Sequence, residues 1–406
     1  MNRMRTSLVL AAVVWAAGPA APANAAEPSK KVTDAQVEAV HKRAIVVDTH
    51  ADTLWRMLDR GDDISKRSTN GHIDIPRLKA GGVDAEFFAI WVQPAYAPNY
   101  AHRALRLIDK LYDTVRRNSD SMMLARTPDD IRAAAAQGKV AALMGIEGGH
   151  AIENDLGLLR MFHELGVRYM TLTWSFNTDW ADSSGDTSDW NGLNDFGVKV
   201  VREMNRLGML VDVSHVSDAT FNDVMKTTRV PVIASHSSCR AICNAPRNMT
   251  DEMLTAMRDN GGVVMINFYS AFLDQRFRDE SRAAAEKMKP RISAVGERFL
   301  LDPVGREDAM WAIHKDVDES VTPPPLTRLI EHIEHVIEIA GIDHVGLGSD
   351  FDGVTSLPVG MEDVSKLTAI TRALLERGHS EADVEKVLGG NFMRVFDAVT
   401  RAREIK

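Results

Sequence analysis

The chain has 406 residues, 45% of them hydrophobic and 26% charged, with a net charge of −9. This is the balance of an ordinary soluble globular protein, and its acidic, mixed-sign charge argues against a nucleic-acid partner. The length alone admits one large domain or two to three small ones.

The first residues differ in kind from the rest. Arg3 and Arg5 precede the apolar run Leu8 to Ala17, and the small residues Ala23, Asn24 and Ala25 follow. Charged, apolar and cleavable regions in that order predict a secretory signal peptide over residues 1–25, cut after Ala25. The apolar core is too short to span a membrane comfortably. There is no cysteine near the cut for a lipid anchor and no apolar C-terminal tail. The expectation is a soluble, exported protein without a membrane anchor, periplasmic or secreted.

In chain order, Asp34 to Arg43 reads as a short helix, and the β-branched run Ile45-Val46-Val47 opens a strand ending at His50. Gly81-Gly82 precedes a second strand, Val83 to Val92, followed by a helix from Ala101 to about Arg117. Thr127 caps a helix with Pro128 at its first position, stopping at Gly138. The third strand is Val140 to Ile146, ending at Glu147. A helix from about Leu156 to Leu165 leads to the fourth strand, Val167 to Thr173, and Trp174. After a polar loop come a helix (Asp195 to Leu207), a fifth strand (Met209 to Val213) and Ser214-His215. A helix from Ser217 to Thr227 precedes the sixth strand, Val230 to Ala234, which ends at Ser235-His236. Thr250 to Asp259 is helical and Val263 to Phe268 is the seventh strand. Leu326 to Ala340 is an amphipathic helix, Val345 to Gly348 is the eighth strand, and the remainder from about Glu362 is helical.

Eight short apolar strands alternating with helices, with no linker between them, predict a (β/α)₈ TIM barrel over residues 26–406 rather than a doubly wound sheet. The ends of the first, third, fifth, sixth and eighth strands carry His50 with Asp52, then Glu147, His215, His236 and Asp350. Barrel enzymes keep their chemistry at this C-terminal face, so residues distant in sequence would converge in one cup. Within an extended segment His50 and Asp52, two residues apart, point the same way and can grip one cation.

Three histidines, two aspartates and one glutamate suffice for two divalent cations per chain, with a carboxylate such as Glu147 between them. Mixed nitrogen and oxygen donors without thiolate favour Zn2+ and leave Mn2+, Co2+ or iron open. Such a pair would polarise a carbonyl and hold a bridging hydroxide, which makes the reaction class metal-assisted hydrolysis. Any one of these histidines alone is more often a hydrogen-bonded structural residue than a ligand. The argument rests on all of them following apolar strands. His332 and His335 instead fall on what reads as the polar, solvated face of their helix, with His41, His163 and His379 read the same way. The two cysteines, Cys239 and Cys243, could pair in an exporting compartment, or stay as free or buried thiols.

Longer motifs then bring a family into view. Asp48-Thr49-His50-Ala51-Asp52, Gly145-Ile146-Glu147-Gly148-Gly149-His150, Asp212-Val213-Ser214-His215, Ser235-His236-Ser237, Pro246-Arg247-Asn248 and Gly348-Ser349-Asp350-Phe351-Asp352-Gly353 resemble the membrane (renal) dipeptidases, zinc metallopeptidases, from about Ile45 to Phe396. The resemblance implies a (β/α)₈ barrel with a binuclear zinc centre that hydrolyses dipeptides, including those with a C-terminal D-residue. Carried over residue by residue, it implies that His50 and Asp52 hold one zinc, His215 and His236 the other, and Glu147 bridges. Asp350 would be the general base and acid, and Arg247 would bind the substrate carboxylate through its planar guanidinium. A homodimer follows by analogy alone.

The sequence departs from the mammalian pattern twice. Trp174 stands where those enzymes have a histidine that contacts the substrate carbonyl, and an indole donates one hydrogen bond but carries no proton. Asn177 and the run Trp180-Ala181-Asp182 still match, which keeps Asn177 and Trp174 among the expected substrate contacts. The segment from about 274 to 325 is longer than its mammalian counterpart. A charged helical hairpin over the barrel mouth or at a subunit contact is one expectation, a solvated excursion the other. The function expected is a zinc-dependent dipeptidase; the alternative is a binuclear hydrolase of the same fold acting on another amide, lactone or ester. A non-catalytic protein that kept the fold would not need a titratable Asp350 beside the metals.

Overall fold

The computed structural model describes residues 31–299 and 301–403; the expected signal peptide and its cut after Ala25 lie outside them. The strands are β1 (Val47–Ala51), β2 (Ala85–Trp91), β3 (Met122–Leu124), β4 (Val140–Glu147), β5 (Val167–Thr171), β6 (Leu210–Asp212), β7 (Ile233–Ala234), β8 (Val263–Ile266) and β9 (Val345–Leu347). All pair in parallel. The order runs β2-β1-β9-β8-β7-β6-β5-β4, and β2 pairs with β4 to close a ring of eight. The ninth, β3, pairs only with the first residues of β4 and lies outside the ring. Its apolar run, Met122-Met123-Leu124, is too short to read as a strand from sequence, and it was not expected.

The strands are buried on both faces, as parallel strands covered by helices must be. Their side chains alternate between two apolar layers. Phe87, Leu143, Tyr169 and Met265 pack inside the ring with Phe392 and Phe396 of the helix Asn391–Arg401, whose rings meet Phe87 edge-on at 5.3 and 6.4 Å. Phe88, Met144, Ile146 and Val211 face outward against the helices. The apolar packing that closes the ring therefore leaves its C-terminal rim to polar side chains.

The helices begin where the sequence supplies caps. Thr127 and Asp130 form a reciprocal capping box ahead of Pro128–Ala136, and Asn194, Ser217 and Thr250 each accept backbone N–H bonds at the start of their helices. A short helix, Thr53–Asp59, follows β1 directly. Asp52 thus stands at its start rather than in the strand, and the β1 register shifts between Asp48 and Ala51. His50 and Asp52 face one another across Ala51, the last residue of β1, with the helix starting directly after.

The 274–325 segment forms two helices, Gln275–Arg298 and Pro303–Glu319, packed against each other. The second sits over the barrel mouth and contributes Glu307, Met310 and Trp311 to the cavity there. Asp318 pins it down, accepting from Tyr269 Oη at 2.9 Å and Ser281 Oγ at 3.1 Å, and from Thr355. Of the two readings of this segment, the hairpin over the mouth is the one observed.

Several histidines correct the solvated-face expectation. His332 is fully buried, accepting from the Cys239 N–H at Nδ1 and meeting the Leu273 carbonyl at Nε2. His41 is buried between Thr371 and the Gly81 carbonyl, and His163 is buried as well. An imidazole has a donor and an acceptor and can satisfy both internally, so its polarity does not place it in water. His335 and His379 are half-buried, beside Asp251 and Glu334. Cys239 and Cys243 are both buried free thiols.

Candidate metal centre and substrate pocket

At the C-terminal rim, His50 (β1), Glu147 (last residue of β4), His215 (after β6), His236 (after β7) and Asp350 (after β9) come together with Asp52. Glu147 is the hub. Its Oε1 lies 2.8 Å from His215 Nε2 and 3.5 Å from His236 Nε2, and its Oε2 lies 3.5 Å from His50 Nε2. His50 Nε2 is also 3.4 Å from Asp52 Oδ2, and the two histidines His215 and His236 approach Nε2 to Nε2 at 3.0 Å. Two overlapping groups have the spacing of a metal site: His50, Glu147 and His236, and His50, Asp52 and Asp350.

The opposite ring nitrogens show why the Nε2 atoms face inward. Tyr169 Oη donates to the Thr49 carbonyl at 3.1 Å, so toward His50 Nδ1, 2.7 Å away, it can only accept. That puts the proton of His50 on Nδ1 and leaves Nε2 with its lone pair. His236 is fixed in the same way: Ser235 Oγ donates to Asp212 Oδ2 at 2.6 Å and so accepts from His236 Nδ1 at 2.8 Å. Such outer partners set tautomer and ring orientation in metal sites. His50 Nε2 and Asp52 Oδ1 are buried without a hydrogen-bond partner. Buried lone pairs converging without donors are costly unless a cation satisfies them, so this donor set of three imidazoles and two carboxylates fits divalent metal ions.

With no cation bound, burial opposes a charge on His50, yet Tyr169, Glu147 and Asp52 raise its pKa well above the ordinary value. Burial would raise Glu147, yet the imidazoles of His50, His215 and His236 hold it well below the usual carboxylate range. Burial lowers His215 to about 4 and lowers His236 as well, keeping both neutral. Asp350 is pushed up to about 8, chiefly by burial, with Asp52 and Glu147 adding to the push. Its Oδ2 accepts from Asn267 Nδ2 at 2.8 Å.

The backbone here is held in unusual conformations. His215, Asp350 and Asp352 have φ of 69°, 63° and 65°, the left-handed region that costs a non-glycine residue about 1–3 kcal/mol. Asp352 anchors the Asp350 loop: it accepts from Thr53 Oγ1 at 2.7 Å and from Arg56 Nε at 3.0 Å.

Above the centre opens a cavity of about 450 Å³. Arg247 reaches it from the β7 side, its guanidinium 5.5 Å from the Phe272 ring and donating to the His236 carbonyl at 3.2 Å. Its Nε and Nη1 are buried without partners, which leaves donors free for a carboxylate. Trp174 lies across the cavity, 5.2 Å from the Trp91 ring and 6.4 Å from that of His215. Asn177 is not brought here. Its Oδ1 accepts from the Ser183 N–H and its Nδ2 donates to the Thr187 carbonyl and Asp189, so its side chain is consumed in organising its own loop.

From sequence alone no role falls to Tyr169, Asp212, Ser235 and Asn267, which orient His50, His236 and Asp350 from behind, nor to Trp55, Trp91 and Trp311. The first group carries one signal, since Asp212 lies three residues before His215 and Ser235 directly before His236. The tryptophans carry none, because only the closed ring brings them together.

The family description for membrane dipeptidases, peptidase family M19, matches residues 34–405. Among solved structures the chain is similar to the probable dipeptidase PvdM from Pseudomonas aeruginosa, with a TM-score of 0.78 and 27% identity, covering 91% of this chain and 98% of that one. It is similar to dipeptidase AC, a metallopeptidase of family M19, with a TM-score of 0.72 and 29% identity over 87% and 98% of the two chains. A metallopeptidase from Rhodobacter sphaeroides, liganded with a phosphinate mimic of L-Ala-D-Ala, matches with a TM-score of 0.71 and 28% identity over 88% and 99%.

Proposed function

Since the chain belongs to the membrane dipeptidase family, peptidase family M19, and is a metallodipeptidase of that family, we propose that its five inward ligands hold two divalent cations, zinc by preference, and that its substrates include L-D dipeptides. His50 and Asp52 would hold one ion, His215 and His236 the other, and Glu147 both. When bound, the ions supply Lewis-acid polarisation of the scissile carbonyl and an activated water. The observation that carries this reading is the convergence of three Nε2 atoms on the two oxygens of Glu147, with two of the three imidazoles fixed in the ligating tautomer.

The chain's own residues then do the rest. Arg247 binds the free carboxylate of the dipeptide through its unpartnered nitrogens. Asp350, held by Asn267, takes a proton from the attacking water and returns it to the leaving amine. Trp174 covers His215 and excludes water from that side of the pocket. The L-Ala-D-Ala mimic in the Rhodobacter relative supports the substrate class.

The test is hydrolysis of an L-L and L-D dipeptide panel, including L-Ala-D-Ala, with and without a chelator. Activity lost on chelation and restored by Zn2+ supports the reading. Metal-replete protein inert on the whole panel rejects it in favour of another amide, ester or lactone. We also propose that residues 1–25 direct export, which N-terminal sequencing of the mature protein checks: a start at Ala26 supports it, and an intact Met1 rejects it.

A further inference from the structure

Four of the seven tryptophans, Trp55, Trp91, Trp174 and Trp311, gather on one side of the cavity. Trp55 and Trp91 are almost fully buried, and Trp311, from the helix Pro303–Glu319, lies 5.6 Å from the Trp55 ring. One turn before Trp311 on the same helix, Glu307 faces the same cavity, half-buried. It has no hydrogen-bond or ion-pair partner among the described residues.

Two of the cations near Glu307 are already committed. Arg60 pairs with Asp308 at 2.6 Å and lays its guanidinium 4.3 Å over Trp55; Arg103 holds Asp59 at 2.5 Å. Arg306 also lines the cavity and is exposed to solvent. Burial raises the Glu307 carboxyl to about 7, the mark of a group that a cation would stabilise in its charged form.

The ring order decides which part of a substrate meets this wall. Arg247 and Phe272 stand on the β7–β8 side. Trp91 and Glu147 end β2 and β4, which lie directly across the eight-stranded ring. With the substrate carboxylate on Arg247, its amino-terminal residue extends toward the tryptophans. This step rests on the dipeptidase reading above.

We propose that Glu307 and the tryptophan wall recognise a positively charged side chain on the amino-terminal residue of the dipeptide. Aromatic faces attract an organic cation, the more so when it is partly desolvated, and a carboxylate completes the cage. The 274–325 hairpin is then the element that sets specificity, acting as a roof that supplies Glu307 and Trp311.

The experiment compares kcat/KM of the zinc-loaded enzyme for L-Lys-D-Ala and L-norleucyl-D-Ala, which differ only in replacing the ammonium by hydrogen, with L-Ala-D-Ala as reference. The wild type should prefer the lysyl substrate at least tenfold, mainly through KM, and Glu307→Gln should bring the ratio close to one. A wild-type ratio of one or below, or a preference that survives in Glu307→Gln, overturns the inference. The wild-type ratio decides even if the variant fails to fold. Hydrolysis of L-Ala-D-Ala with no lysyl preference removes this inference alone, whereas no hydrolysis of any of the three removes the dipeptidase reading with it.

Discussion

Tyr169 Oη sits 2.7 Å from His50 Nδ1, on the opposite edge of the imidazole from Glu147. A hydroxyl buried in the barrel therefore fixes which nitrogen of His50 faces the centre. Gly145 makes room for it, since a Cβ there would fall inside the Tyr169 ring. Tyr169→Phe keeps the ring and deletes the hydroxyl. Zinc affinity should fall about 10–100-fold, the usual loss for an outer partner of a ligand, in a competition titration with a chromophoric chelator. Unchanged affinity would show that His50 is oriented by its packing alone.

Gly353 has a more local role. A Cβ at this position would lie well inside 3.0 Å of Oδ2 of Asp52 and Oδ1 of Asp350, closer than real Cβ atoms come. Gly353→Ala should push the two carboxylates apart and reduce kcat/KM about a hundredfold, the scale of a 1 Å misplacement of reacting groups. The melting temperature should stay within a few degrees of wild type, because the apolar layers are untouched. Retention of full activity would mean that neither carboxylate needs its present position.

His332 gives the fold a defined response to acid. Burial lowers its pKa to about 4 from an ordinary 6.5, so the folded protein keeps it neutral while the unfolded chain protonates it. Its contribution to stability is complete above about pH 6.5 and is lost as the pH falls toward 4. Across that window the loss is roughly 3 kcal/mol. The stability difference between wild type and His332→Gln, from denaturant unfolding of metal-free protein, should therefore narrow by about that amount between pH 7 and pH 4. A pH-independent difference would contradict it.

How much of this could be read from the sequence depended on whether a feature was local. Each barrel strand is a short apolar run between glycines and helix caps, so all eight were legible, and with them the rim that holds His50, Glu147, His215, His236 and Asp350. The helix that starts at Asp52 was not, because Thr53–Asp59 is too short to show periodicity and is buried on every side over its first five residues. The burial of His332 was hidden because the helical pattern records polarity, while the Cys239 N–H and Leu273 carbonyl that satisfy it come from distant segments. Asn177 matched a motif, yet its loop consumes its hydrogen bonds. The roof over the pocket was open to two readings because charge composition does not say which face of a hairpin meets the barrel.

The central claim is that five side chains gathered by the ring hold two cations and that hydrolysis depends on both. Metal-stripped protein should be titrated with Zn2+ while L-Ala-D-Ala hydrolysis is followed against the equivalents bound. The account predicts activity that rises to a break at about two per chain and falls to background when Glu147 is replaced by Gln. Saturating zinc without hydrolysis, or full activity in Glu147→Gln, would contradict it.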